Sequence, residues 1–335
     1  MNVANTILEY FRLMRPQGAA QTAVILLLGS LIMGQRDIFP LFILFLIGFL
    51  SHVHGFVLND YADAEVDKKS SDLEKKPLVS GTISKRSAIF IIFLTAFCSY
   101  FLTIFYFYSV VTLLLLTLAA ICSGIYNFFG KKILGSEIII SLGLALFCLY
   151  GASTVSLNFT NVAYIVSSIL FIEGVFIHVV EGGVKDVDHD YLAKAKTIPT
   201  IMGVKVKDGK LFFTKKFLAI SYLLKIIFFV LVILLGLQKE INVWNFENPI
   251  LLCVLAILAI LEILTFYKFI TLEIFDRSKI KKLYAAINSF TLALIFVILY
   301  PIFNYLIILI LLLLPISWYT VWNYVLYGKA FQPRV

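Results

Sequence analysis

Charge is what this chain has least of. Only 14% of its 335 residues are Asp, Glu, Lys or Arg, where a soluble globular protein is nearer a quarter. With 61% of the residues hydrophobic, a water-soluble domain of useful size is excluded. Cysteine is sparse as well. Cys98, Cys122, Cys148 and Cys253 all lie within apolar runs and form no CxxC pair, so a disulfide framework and a zinc site are excluded and packing roles remain. No convincing cleavage site follows Arg12, Arg15 and the first apolar run, which therefore reads as a retained helix and not a signal peptide. The net charge of +8 does not point to nucleic acid, because the basic residues sit in short loops between apolar runs.

What is there is a series of apolar runs, each long enough to cross a bilayer. They fall at roughly 16–34, 39–58, 87–107, 109–128, 136–156, 161–182, 214–237, 249–269, 284–302 and 304–327. The loops after the second, fourth, sixth and eighth runs hold most of the lysine and arginine, among them Lys68, Lys75, Lys132, Lys196 and Arg277. The alternate loops hold almost none. That asymmetry places the basic loops and both termini on the cytoplasmic side. The expected fold is all-α: one polytopic membrane domain over 1–335, with its core at about 10–303 and an extra C-terminal helix and tail over 304–335.

Two acidic clusters interrupt the oil, both beside basic loops. The first is Asn59-Asp60-Tyr61-Ala62-Asp63-Ala64-Glu65-Val66-Asp67, and the second is Asp186-Val187-Asp188-His189-Asp190. Carboxylates next to a membrane core are costly and mark function. On a helix, Asn59, Asp63 and Asp67 line one face, as do Asp186 and Asp190. Solvated helix ends would explain one such cluster readily, but two on the same side much less so. A proline-containing polar segment follows each cluster: Lys76-Pro77-Leu78-Val79-Ser80-Gly81 in the first half, and Thr197-Ile198-Pro199-Thr200-Ile201-Met202-Gly203 in the second. This echo predicts two pseudo-repeated halves with a site at their interface. Segments 70–86 and 191–213 are candidate lids over it; the plainer alternative is a pair of solvated connectors.

Hard oxygen donors of this kind suit Mg²⁺. Asp63, Asp67, Asp186 and Asp190 carry four negative charges that two Mg²⁺ ions would balance, leaving positions open for a diphosphate. Asn59 adds an uncharged oxygen. Asp60 and Asp188 point off the main faces and are candidate alternative ligands, Asp60 being counted among the diphosphate-binding residues. Arg15, Lys76, Lys131, Lys132 and Lys185 lie near the clusters in sequence and are candidate diphosphate contacts, although a basic residue at such a helix end is often only an orientation signal. A diphosphate head at the cytoplasmic mouth and an apolar tail among helices describe a prenyl diphosphate, for example one of geranylgeranyl length or longer. Metal ions and cations stabilise diphosphate as a leaving group, and aromatic faces stabilise the allylic cation left behind. His178 and Glu181 are candidate proton acceptors or interhelical contacts. Glu173 is an intramembrane acid with no partner evident in the sequence, and His52 and His54 read as packing residues.

At these residues the chain resembles the UbiA superfamily of intramembrane prenyltransferases. Asn59, Asp60, Asp63 and Asp67 match the family's NDxxDxxxD pattern, and Asp186 and Asp190 match its DxxxD pattern. The resemblance extends over about residues 10–300. It implies a bundle of nine core transmembrane helices, here with a possible tenth, around a central cavity. It also implies Mg²⁺-dependent transfer of a prenyl chain from its diphosphate, with Asn59, Asp63, Asp67, Asp186 and Asp190 holding the metal. Tyr126 and Lys131 are similar to the family's Tyr/Lys pair, though their spacing of five leaves Lys131 and Lys132 as alternatives. Val179 stands where the hydroxybenzoate branch has an aspartate, which favours naphthoate-type, other aromatic or glycerol-phosphate acceptors. Two rival readings are an ion-coupled secondary transporter and a non-catalytic lipid-binding relative. The position of the acids at helix ends disfavours the first, and the completeness of both motifs disfavours the second.

Overall fold

The computed structural model describes residues 3–68, 73–130, 132–245 and 247–330. Lys131 and residues 69–72, which include the start of the first candidate lid, lie outside the described residues. Among those described, nine helices are long and apolar enough to cross a membrane. In chain order the helices are α1 (Val3–Met14), α2 (Ala19–Ile32), α3 (Ile38–Asp67), α4 (Lys85–Tyr106), α5 (Val110–Phe129), α6 (Ser136–Ser153) and α7 (Asn161–Val175). A π-helical segment, Phe176–Gly182, joins α7 to α8 (Gly183–Leu192). Then come α9 (Ile198–Ile201), α10 (Lys215–Gly236), α11 (Pro249–Ile270), α12 (Arg277–Ile298) and α13 (Tyr305–Tyr327).

Nine of the ten expected spans correspond to these long helices. The exception is the first. It shrinks to the 14 residues of α2, because Arg15 adopts a left-handed conformation (φ 49°, ψ 51°) and Pro16–Gly18 form a 3₁₀ turn. The tenth expected span is a continuous helix, α13, that carries Pro315 within it.

Contacts divide the chain into two compact units, Met1–Phe128 with Leu146–Ala163 and Leu313–Val335, and Phe129–Ala145 with Tyr164–Leu312. In the first unit, α2 and the end of α6 meet at glycines. A Cβ on Gly29 would lie 2.0 Å from the Cys148 carbonyl oxygen, and one on Gly151 would lie 2.0 Å from that of Leu26. Small residues let backbones approach this closely where dispersion, not water, drives helix association. The last part of α13 belongs here as well. Trp318 donates from Nε1 to the Pro16 carbonyl (2.7 Å) and packs edge-on against Phe45.

In the second unit, Val179, Val180, Val184 and Val187 run along the inner side of the π segment and α8. They pack with Phe217, Phe269, Ile280 and Ile287 from α10, α11 and α12. The second candidate lid is ordered: α9 is followed by a hairpin of β1 (Lys205–Lys207) and β2 (Lys210–Phe212). Its turn residues Asp208 and Gly209 both have positive φ, as a two-residue hairpin turn of this hand requires. Leu211 donates to the Glu273 carbonyl and Phe275 to that of Gly209, tying the hairpin to the α11–α12 connection.

Candidate active site

The first motif rides on the last turns of α3, which stays helical through Asp67. Asp60 is buried at 4% exposure and faces two cations. Arg15 donates from Nη2 to both Asp60 carboxylate oxygens (2.8 and 3.1 Å). Lys76 Nζ reaches Asp60 (3.1 Å) and Asp67 (2.7 Å). Lys76 is fixed by its loop, whose Leu78 and Ile83 pack with Val57 and Ala64 of α3. Arg15 also lies over the Phe56 ring, and its own carbonyl contacts His52 Nε2 at 2.9 Å. His52 Nδ1 lies 2.9 Å from the Thr22 hydroxyl, so this histidine is spent on packing.

Asn59 donates from Nδ2 to Asn127 Oδ1 (3.3 Å), and Asn127 donates in turn to the Gly55 carbonyl (3.2 Å). This leaves the Asn59 amide oxygen outside both bonds and oriented by a neighbouring helix. Asp63 is half-buried one turn further on. Tyr126 is half-buried in the last turn of α5, and Lys132 is exposed beyond it.

The second motif sits on α8. Thr197 donates from Oγ1 to Asp190 Oδ2 (3.2 Å), and the Ile198 amide donates to Glu137 Oε1 (2.9 Å). Pro199 lies so close to Gly183 that a Cβ there would fall 2.2 Å from its Cγ. The Thr-Ile-Pro stretch therefore braces α8 through Thr197 and Pro199 and ties it to α6 through Ile198. Asp186, half exposed, pairs with Lys185 (3.1 Å). Asp188 turns the other way and receives Arg277 from the start of α12 (2.7 and 2.9 Å).

The donor chemistry fits Mg²⁺. In the first unit the side chains that face the cation Lys76 are the carboxylates of Asp60 and Asp67, and the same helix carries the Asn59 amide oxygen; all are hard donors. Among the described residues no three His, Cys, Asp or Glu side chains converge closely enough to hold an ion by themselves. Mg²⁺ characteristically binds through one or two carboxylates with water and substrate phosphate completing the shell.

Sequence reasoning missed Asn127, Arg277 and the partner of Glu173. That partner is Lys225 of α10, which donates to both Glu173 oxygens (3.0 Å each) and to Glu262 of α11 (2.8 Å). A lysine midway along an apolar run was the available signal.

Residues 23–246 match the UbiA prenyltransferase family. The chain belongs to that family. It is a prenyltransferase and an integral, multi-pass membrane protein. A digeranylgeranylglyceryl phosphate synthase of Thermococcus kodakarensis is 26% identical over 200 residues, which cover 58% of this chain and 69% of that protein. A solved structure concerned with digeranylgeranylglyceryl phosphate synthase in membranes superposes with a TM-score of 0.66 at 18% identity, covering 89% of this chain and 99% of the other. A UbiA homologue from Archaeoglobus fulgidus bound to GPP and Mg²⁺ gives 0.60 at 18% identity, covering 86% and 99%. At these identities the structural likeness carries the fold.

Proposed function

We propose that this UbiA-family enzyme alkylates a glycerol-phosphate ether with a prenyl chain of geranylgeranyl length, releasing diphosphate, at the cytoplasmic side of the membrane. The observation that carries the reading is the first motif's pairing of buried acid with cations: Arg15 and Lys76 are held by Asp60 and Lys76 also by Asp67, on the helix that carries Asn59 and Asp63. The acceptor class is supported by the relative's activity and by Val179 in place of the aspartate expected for hydroxybenzoate.

Asn59, Asp63 and Asp67 in the first unit and Asp186 and Asp190 in the second are the proposed ligands for two Mg²⁺ ions, with diphosphate oxygens completing their shells. When bound, the metal withdraws charge from the leaving diphosphate. Arg15 and Lys76 supply fixed positive charge to the same group, and Lys131, Lys132 and Lys185 are further candidates for it. Asn127 keeps the Asn59 oxygen aimed away from its own amide hydrogen bond. Thr197 fixes one oxygen of Asp190. Tyr126 would offer an aromatic face to the allylic carbon as positive charge develops there.

The test is turnover of radiolabelled geranylgeranyl diphosphate by purified protein with Mg²⁺, offered geranylgeranylglyceryl phosphate, dihydroxynaphthoate or 4-hydroxybenzoate. A labelled ether lipid from the first alone is expected. A labelled quinone precursor would refute the acceptor assignment, and full activity in both Asp63→Ala and Asp190→Ala would refute the site.

A further inference from the structure

The π segment Phe176–Gly182 adds about one residue to the helix that carries the second motif, and each added residue rotates the rest of the helix by about 100°. Its consequence is visible in which side chains find partners. Glu181 and Asp188 are seven residues apart and so share a face, and both meet α12. Asn288 Nδ2 donates to Glu181 Oε2 (2.9 Å), and Arg277 holds Asp188. The two α12 residues are eleven apart, on one face of that helix, and run antiparallel to their partners. Glu173, eight residues before Glu181, would lie about 80° away on an uninterrupted α-helix. The extra residue brings it to within about 20° of that face, and it meets Lys225.

Three acids on this helix thus meet α10 and α12. Asp186 and Asp190 stand two residues either side of Asp188, or about 160° around the axis. Anchoring Asp188 to α12 turns both of them away from it. Glu181 is fully buried, and its second oxygen, Oε1, has no hydrogen-bond partner among the described residues. A bare buried oxygen is a cost that an apolar residue would avoid, so helix packing alone does not account for a carboxylate here.

We propose that Glu181 and Asn288 are positioning residues for the prenyl-transfer site. From within the π segment, which the Glu173–Lys225 and Asp188–Arg277 pairs anchor on either side, they fix the rotation of α8 and thereby aim Asp186 and Asp190 at the metal. This rests on the reading that Asp186 and Asp190 are metal ligands. Neither positioning residue touches the reacting groups; both act through the azimuth of the helix.

The experiment measures Mn²⁺ binding to the full chain by electron paramagnetic resonance, in the presence of a non-hydrolysable prenyl diphosphate analogue, alongside melting temperature. Glu181→Leu and Asn288→Leu are expected to weaken Mn²⁺ binding about tenfold or more, the loss typical of outer-shell partners of metal ligands. Glu181→Gln keeps an acceptor for Asn288 and is expected to stay within about twofold of the parent. A purely structural role would lower melting temperature without changing affinity in the folded fraction. Should Glu181→Leu fail to fold, Asn288→Leu decides. Unchanged Mn²⁺ affinity in a folded leucine variant overturns the proposal, as does a Glu181→Gln variant as impaired as Glu181→Leu. Asp190→Ala separates the premises. Parental affinity there overturns the ligand assignment itself, whereas loss there with intact affinity in both leucine variants overturns only the positioning role.

Discussion

Replacing Lys225 by Met is expected to destabilise the protein by about 3–5 kcal/mol, the cost of breaking a buried ion pair from one side. The structure sets the size of the effect. Lys225 and Glu173 are each 5% exposed at the side chain and Glu262 is fully buried, so water relieves none of them. Lys225 makes three hydrogen bonds to the two carboxylates, and Glu262 also accepts from Thr291 Oγ1 (3.0 Å). The ammonium also lies 3.9 Å from the centre of the Phe176 ring. Removing it leaves two carboxylates facing each other in a dry interior. Removing all three charges together, as in Glu173→Leu, Lys225→Met and Glu262→Leu, is expected to be near neutral or stabilising by up to about 4 kcal/mol. Unfolding in mixed detergent and denaturant, read by tryptophan fluorescence and tryptic susceptibility, measures both. The reasoning fails if the single variant lies within about 1 kcal/mol of the parent, or if the triple variant is as unstable as the single; the penalty would then not be that of unpaired charge.

Lys76→Met is expected to act in opposite directions on two ligands. It removes the ammonium that competes for Asp67, so Mg²⁺ alone should bind more tightly, while the KM for prenyl diphosphate rises about tenfold, the scale of one lost charge-assisted contact; equilibrium metal titration and steady-state kinetics report the two, and parallel changes would refute the competition. Gly183→Ala would drive a methyl into Pro199, with an overpacking cost of about 1–3 kcal/mol and loss of the Thr197 brace on Asp190, read as lower melting temperature together with weaker metal binding. Chelation by EDTA is expected to abolish transfer and added Mg²⁺ to restore it; transfer that survives exhaustive chelation would remove Mg²⁺ from the mechanism.

The parts legible in the sequence are those governed by local periodicity and by the cost of charge in oil. Apolar runs became helices because their length matches a bilayer, and Asn59, Asp63 and Asp67 share a face because α3 continues uninterrupted to Asp67. The second motif shows why such reasoning stops. Its own spacing is local, and α8 preserves it, but the direction in which it points depends on a π segment that begins well before the motif, at Phe176. Nothing in the periodicity of an all-apolar run announces an extra residue, since a shifted register leaves it equally apolar. The same logic explains Glu173. Its partner is 52 residues away, on a helix whose only charge between Lys216 and Lys239 is Lys225, and the two can be joined only if one asks what each intramembrane charge must be neutralised by. The hairpin at Asp208-Gly209 is the opposite case. A two-residue turn signal was present, and reading segment 191–213 as a polar lid alone passed over it. Charges inside the spans of this fold are best read as a balance across all helices at once. That balance pairs Glu173 and Glu262 with Lys225 and leaves Glu181 as a buried acid facing a neutral partner, Asn288, on the very helix that carries Asp186 and Asp190.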